Sequence, residues 1–286
     1  MGEYAARLKR KLASKARKLP GVGTERLTGG ALASGFKDIP TLIEEGLDPF
    51  HAVYVLMQNL TATFAETVGR MPEMKVWARA VEKAEDEYVP SGPPISPLTG
   101  SYFWMWALYD LKIGKSSDTL ASCLLAAKDI VQMNAHQVEV LQQMENSRMG
   151  IFEHVGMSGP YIRLRELVTN RELGCHCPSG YPGSEGELWY VRLLPPVEPE
   201  IATFWIAMTT PYVLIAANKS DWTAFLRRTM LQSDGSDHAT RLANLLKHGS
   251  GPNYWNEFVM KAYHHYQHNA IFLAGIPDMQ ATLPHA

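Results

Sequence analysis

The sequence predicts an α+β chain, predominantly α-helical: a helical bundle-like body with an inserted small antiparallel β-barrel or twisted sheet. Three observations predict it. Apolar residues recur at helical spacing through most of residues 39–147. At Arg148 the period drops to two, and short alternating runs separated by turn signals continue to about Ala216. Helical spacing then returns. The expected organisation is a basic helix and flexible lead-in over 1–38, a helical region over 39–147, a small β domain over 148–217 and a carboxy-terminal helical region over 218–286.

Glu3–Leu19 reads as a helix, with Tyr4, Leu8, Leu12 and Leu19 on one face and Arg and Lys around them. A Gly-, Thr- and Ser-rich lead-in follows. Pro40 suits a first helical turn, and Asp48 suits the cap of a helix starting at Pro49, which carries Phe50, Val53, Tyr54, Met57, Leu60 and Phe64. Met71–Tyr88 is amphipathic. Pro90, Pro93, Pro94 and Pro97 break the chain before the aromatic Ser101–Leu111 helix. Ser117 or Asp118 is expected to cap one long helix to about Asn146.

The predicted strands are Met149–Val155, Tyr161–Leu167, Glu172–Cys177, Glu187–Leu194, Thr203–Met208 and Tyr212–Ala216. Ile201–Asn218 is free of charge for 18 residues, at the lower edge of membrane-spanning length. Its threonines, Pro211 and β-branched residues read as two buried strands meeting at Thr210-Pro211, not as a transmembrane span. Trp222–Leu231 and His238–His248 are short helices, and Tyr254 to about Leu273 is expected to form a last long one.

With 46% hydrophobic and 20% charged residues in 286, the composition is that of a globular protein and excludes wholesale disorder. The net charge of −2 is unevenly spread: residues 1–19 hold seven of the 27 bases and only one acid, Glu3, leaving 20 bases against 28 acids elsewhere. Arg7, Lys9, Arg10, Lys11, Lys15, Arg17 and Lys18 are candidate contacts for phosphate backbones or an anionic surface, and the aliphatic face of the same helix could dock on a partner or on its own body. Three cysteines, Cys123, Cys175 and Cys177, do not make a disulfide framework. The basic start lacks a following apolar segment, and the expected location is the cytoplasm.

Two groups fit metal ligands. On the expected last helix, His264 and His268 lie four apart on one face with Glu257 seven residues before His264, an arrangement that suits a divalent transition metal such as zinc. Cys175 and Cys177 share one face of a strand, with His176 on the other; filling the barrel interior competes with a metal role. Tyr161, Arg163, Arg165, Trp189, Tyr190 and Arg192 would suit nucleic acid if the barrel exposed them. No Walker A or dinucleotide-binding glycine pattern occurs.

These features lead to a non-catalytic binding or adaptor protein with an unidentified protein partner, the basic arm assisting attachment. The rivals are a hydrolase-like metal enzyme built on the His-rich segment and a nucleic-acid-binding protein.

Overall fold

The structure, a computed structural model, describes residues 2–18, 37–69, 71–88, 97–197, 203–230, 237–249 and 262–274, without the side chains of 15–18, 65–69, 87–88 and 97–99. The described residues combine helices with a closed five-stranded barrel and further strands, so the chain is a mixed α/β protein and the expectation of a predominantly helical chain is corrected. It divides into two compact units. The first comprises Met1–Glu82, Trp104–Asn146 and Pro196–Thr203; the second comprises Lys83–Phe103, Ser147–Pro195 and Phe204–Ala286.

The first unit is built from helices whose ends are set by short polar residues. Helix α1 (Glu3–Lys18) buries Ala5, Leu8 and Leu12 along one side. Helix α2 (Ile39–Glu44) is capped by Asp38, whose carboxylate accepts from Thr41 N at 3.1 Å. Asp48 accepts from Phe50 N at 2.9 Å and so caps helix α3 (Pro49–Gly69), which sends Val53, Met57, Leu60 and Phe64 inward. A 3-10 turn (Pro72–Met74) leads into helix α4 (Lys75–Tyr88), and after the proline-rich break comes helix α5 (Pro97–Tyr109); the end of α4 from Lys83 and the start of α5 up to Phe103 belong to the second unit. Trp77 is fixed inside the unit because its indole Nε1 donates to the Ala107 carbonyl at 2.8 Å.

The expected single helix up to Asn146 is two: α6 (Leu120–Ala126) and α7 (Ala135–Asn146). The second start is specified by Asn134, whose Oδ1 accepts from Gln137 N at 2.8 Å while Gln137 Oε1 accepts from Asn134 N at 3.0 Å. This reciprocal pair satisfies two N–H groups that a continuous helix would have used internally. The cap of α6 is Thr119, paired in the same way with Ser122, and not Ser117 or Asp118. Asp118 acts at a distance instead. Its carboxylate accepts from Tyr4 N at 2.9 Å and from Ala5 N at 3.4 Å, and so closes the start of α1, which packs on α6.

The second unit holds the strands β1 (Arg148–Ser158), β2 (Tyr161–Glu166), β3 (Glu172–His176), β4 (Leu188–Leu194), β5 (Trp205–Ala207), β6 (Tyr212–Leu214), β7 (Tyr263–Tyr266) and β8 (Ile271–Leu273). The first three form a meander. β4 returns beside β1, and β5 fits between β3 and β4, which closes a five-stranded Greek-key barrel. One edge of β4 is shared: Leu193 and Leu194 pair with β5, whereas Leu188–Tyr190 pair with β6. At that fork the sheet leaves the barrel and runs on through β8 to β7.

Two expectations are therefore corrected. The β part is not purely antiparallel, because β3–β5 and β6–β8 are parallel pairs. The expected helix to Leu273 is also wrong over its described part, where residues 263–266 and 271–273 are strands; its beginning lies outside the described residues. The charge-free stretch supplies β5 and β6, and among the described residues no helix is long and apolar enough to cross a membrane.

Alternation assigns the barrel faces. Phe152, Ile162, Leu164, Cys175, Trp189, Val191, Leu193 and Ala207 fill the interior. The other side of β4 is buried as well, where Tyr190 meets Tyr102 and Tyr212 at ring separations of 6.2 Å each. Helix α9 (His238–His248) packs against β1 and against helix α8 (Lys219–Met230).

Candidate functional site

The outer face of β2 and β3 carries charges of both signs beside aromatic rings. Register places Arg163 opposite Gly174 and Arg165 opposite Glu172, all outward because Ile162, Leu164 and Cys175 point in. Glu172 accepts from Arg163 Nη2 at 2.8 Å and from Arg165 Nε at 3.0 Å. These bonds hold the Glu172 carboxyl below its ordinary range, the Arg165 contribution being larger than that of Arg163. Arg165 also reaches Glu153 at 3.4 Å, and Lys219 pairs with the same Glu153 oxygen. The result is a surface ladder of alternating sign.

An aromatic ledge adjoins the ladder. Phe204 stacks on Tyr161 with ring centroids 4.2 Å apart and planes within 18°, and Tyr161 meets His176 edge-on at 6.4 Å. Phe204 lies there because residue 174 has no side chain: a Cβ on Gly174 would come within 2.1 Å of the Phe204 ring. Ser158, Arg163, Glu172, Leu173, Gly174 and Phe204 line a shallow, open cleft of about 250 Å³. Sites that enclose small molecules run to roughly 300–1,000 Å³ and are concave. This cleft suits one inserted side chain or planar group of a larger partner.

The barrel mouth contrasts with this face. The Tyr181 hydroxyl donates to Glu187 at 3.1 Å, and the Trp189 indole donates to Glu187 Oε2 at 3.0 Å. Burial, and then the Glu187 charge, push the Tyr181 phenol up to about 12. His154 is buried, and its Nδ1 accepts from Gly156 N at 3.2 Å, which leaves Nε2 to donate to the Pro182 carbonyl at 3.1 Å. Gly183, at φ +63°, lets the mouth loop pass close over Trp189 and His154. These groups bind one another and close the barrel end.

The sequence-derived candidates fall in separate places. Cys175 points into the barrel and its thiol is pushed well up by burial; Cys177 is also raised by burial and contacts Ser179 Oγ at 3.3 Å. His264 lies on β7 and His268 beyond its end, both exposed, and Glu257 lies outside the described residues. Among the described residues no group of three or more His, Cys, Asp or Glu side chains gathers as a metal cage.

In α1, Arg7, Arg10 and Lys11 are exposed and Lys9 is half-buried, with Lys11 paired to Glu73 at 3.2 Å; the side chains of Lys15, Arg17 and Lys18 lie outside the described residues. Of the six possible nucleic-acid contacts, Trp189, Tyr190 and Arg192 are fully buried, and Arg192 donates to Ser147 Oγ at 2.8 Å. Tyr161, Arg163 and Arg165 do face outward. Sequence reasoning missed Phe204 and Glu172; the turn-linked register of β2 and β3 was the available signal for Glu172.

No family model matches the chain, and no curated protein or solved structure matches it.

Proposed function

We propose that the chain is a non-catalytic binding or adaptor protein whose recognition surface is the outer face of β2 and β3. Its partner in this reading is a polypeptide of mixed charge. The observation that carries the reading is the Arg163–Glu172–Arg165 ladder beside the Tyr161–Phe204 ledge. Both signs are presented at fixed spacing, and exposed ion pairs of this kind are weak enough to exchange for a partner's charges. In five-stranded Greek-key barrels the face of strands two and three is used for oligonucleotides and oligosaccharides, but a fold by itself assigns no ligand. A phosphate backbone fits less well, because the Glu172 and Glu153 carboxylates standing among these arginines would repel a row of like charges.

The test is capture from extract of the producing cell, before and after nuclease treatment, with the wild type and with Arg163→Glu. Retention of the same proteins after nuclease, and their loss with Arg163→Glu, is the expected result. Capture that nuclease abolishes, or that Arg163→Glu leaves intact, overturns the reading.

One observation supports nucleic-acid binding as a second reading: α1 buries its apolar side within its own unit and leaves Arg7 and Arg10 outward. Deleting the helix would strip Leu8 and Leu12 from the core, so the informative variant is Arg7→Gln with Arg10→Gln. Salt-sensitive retention on single-stranded RNA that falls in this double variant supports the second reading. Equal retention removes it.

A further inference from the structure

Strand β7 is the terminal strand of the eight-stranded sheet, and it is irregular at one point. Its register against β8 runs Tyr263↔Leu273 and then His265↔Phe272, so His264 is the extra residue of a β-bulge. Regular alternation would send His264 and His265 to opposite faces. Where two residues oppose one, successive side chains can share a side, and the Nδ1 atoms of His264 and His265 are in direct contact. The rings stand nearly edge to face, with centroids 4.6 Å apart. His265 is held in this pose by Phe272, on which it stacks at 4.5 Å with planes 3° apart. Both histidines are exposed, so an ion in solution reaches them without opening the fold.

We propose that His264 and His265 form a two-imidazole site for a borderline divalent cation of the Zn²⁺, Ni²⁺ or Cu²⁺ class. Neutral imidazole is the characteristic ligand of these ions. A small rotation of the exposed His264 ring separates the nitrogens enough to admit an ion at about 2.0–2.1 Å from each. Two protein ligands leave the other coordination positions to water or to a group brought by a partner. The pair required for ligation is thus adjacent in sequence, and the bulge replaces the helical spacing of His264 and His268 as the device that joins two imidazoles.

The test uses the full chain, purified without a His-tag and stripped with chelator, then titrated calorimetrically with Zn²⁺ or Ni²⁺ alone. One site is expected. His264→Gln and His265→Gln each lower its affinity by at least about tenfold, Phe272→Leu lowers it less, and His268→Gln leaves it within about twofold. Circular dichroism confirms that each variant is folded, which the exposure of these side chains favours. In the Ni²⁺-loaded protein, paramagnetic broadening should centre on the rings of residues 264 and 265. Absence of binding, binding that survives His265→Gln, or a loss with His268→Gln equal to that with His264→Gln overturns the proposal.

Discussion

Glu187 and Glu172 each gather two donors, but at opposite sides of the barrel wall and with opposite partners. Glu187 stands at the mouth and accepts from a phenol and an indole, Tyr181 and Trp189. Glu172 stands outside and accepts from two guanidinium groups. The difference follows from water. Near the core, neutral donors satisfy the carboxylate without burying a second charge, which would carry a desolvation penalty of several kcal/mol. Outside, water solvates all three charges and the pairs remain exchangeable. The mouth therefore builds the barrel, whereas the outer face holds its ion pairs in water.

The strongest way to break this contrast is to remove Trp189, which is fully buried and belongs to the barrel cluster and to the mouth network at once. Trp189→Ala is expected to lose about 3–5 kcal/mol in denaturant unfolding. A loss no larger than that of Tyr161→Ala on the outer face would show that the mouth does not carry the barrel's stability. Gly174→Val comes next. The added Cβ meets the Phe204 ring, so the ledge must shift or the strand must move, at about 1–3 kcal/mol. Phe204→Ala in the same chain should return most of that loss; a double variant no more stable than Gly174→Val would place the strain elsewhere.

The barrel's wall is legible in the sequence and its attachments are not. Tyr161–Leu167 alternates visibly because it buries one face of a strand, whereas Glu187–Leu194 shows as a nearly unbroken apolar run because both of its faces are buried, and all six strands between Arg148 and Ala216 are found. β7 and β8 have four and three residues, too few to show a period, and the bulge at His264 disturbs even those. Their place depends on Tyr212–Leu214 pairing in parallel with Ile271–Leu273, a contact made far along the chain. The interruption before α7 was available in the Asn134-x-x-Gln137 spacing, but the apolar positions on both sides mimic one helix. The arginines of the candidate face can be read from alternation. Phe204 cannot, since its position is set by a missing Cβ at residue 174 on another strand.

A smaller effect shows at the mouth in the titration of a phenol. The Tyr181 phenol is raised from 10 to about 12, so the folded chain holds this proton more tightly than the unfolded chain does. Its contribution is complete below pH 10 and is lost as pH rises toward 12. Glu187→Gln removes the neighbouring charge but leaves the burial, so the phenol should move part of the way back toward 10. The difference between the ultraviolet titrations of each chain with and without Tyr181→Phe isolates this one group among 12 tyrosines. An unchanged midpoint would mean that burial alone sets it.

The smallest expected effect belongs to Glu172, and its sign is the reverse. Hydrogen bonds from Arg165 and then Arg163 hold its carboxyl below the ordinary 4.5, so the folded state favours the ionised form. The stabilisation is present above pH 4.5 and is lost as pH falls through the folded value. Water screens the whole arrangement, so at neutral pH Glu172→Gln should leave the melting midpoint close to that of the wild type, and added salt should narrow the gap further. If the ladder exists for recognition, the same substitution must still weaken capture of the partner, because it removes the acceptor that sets both arginines at fixed positions. A variant that melts much earlier but captures normally would reverse the assignment: the outer face would then be structural, and recognition would have to lie elsewhere.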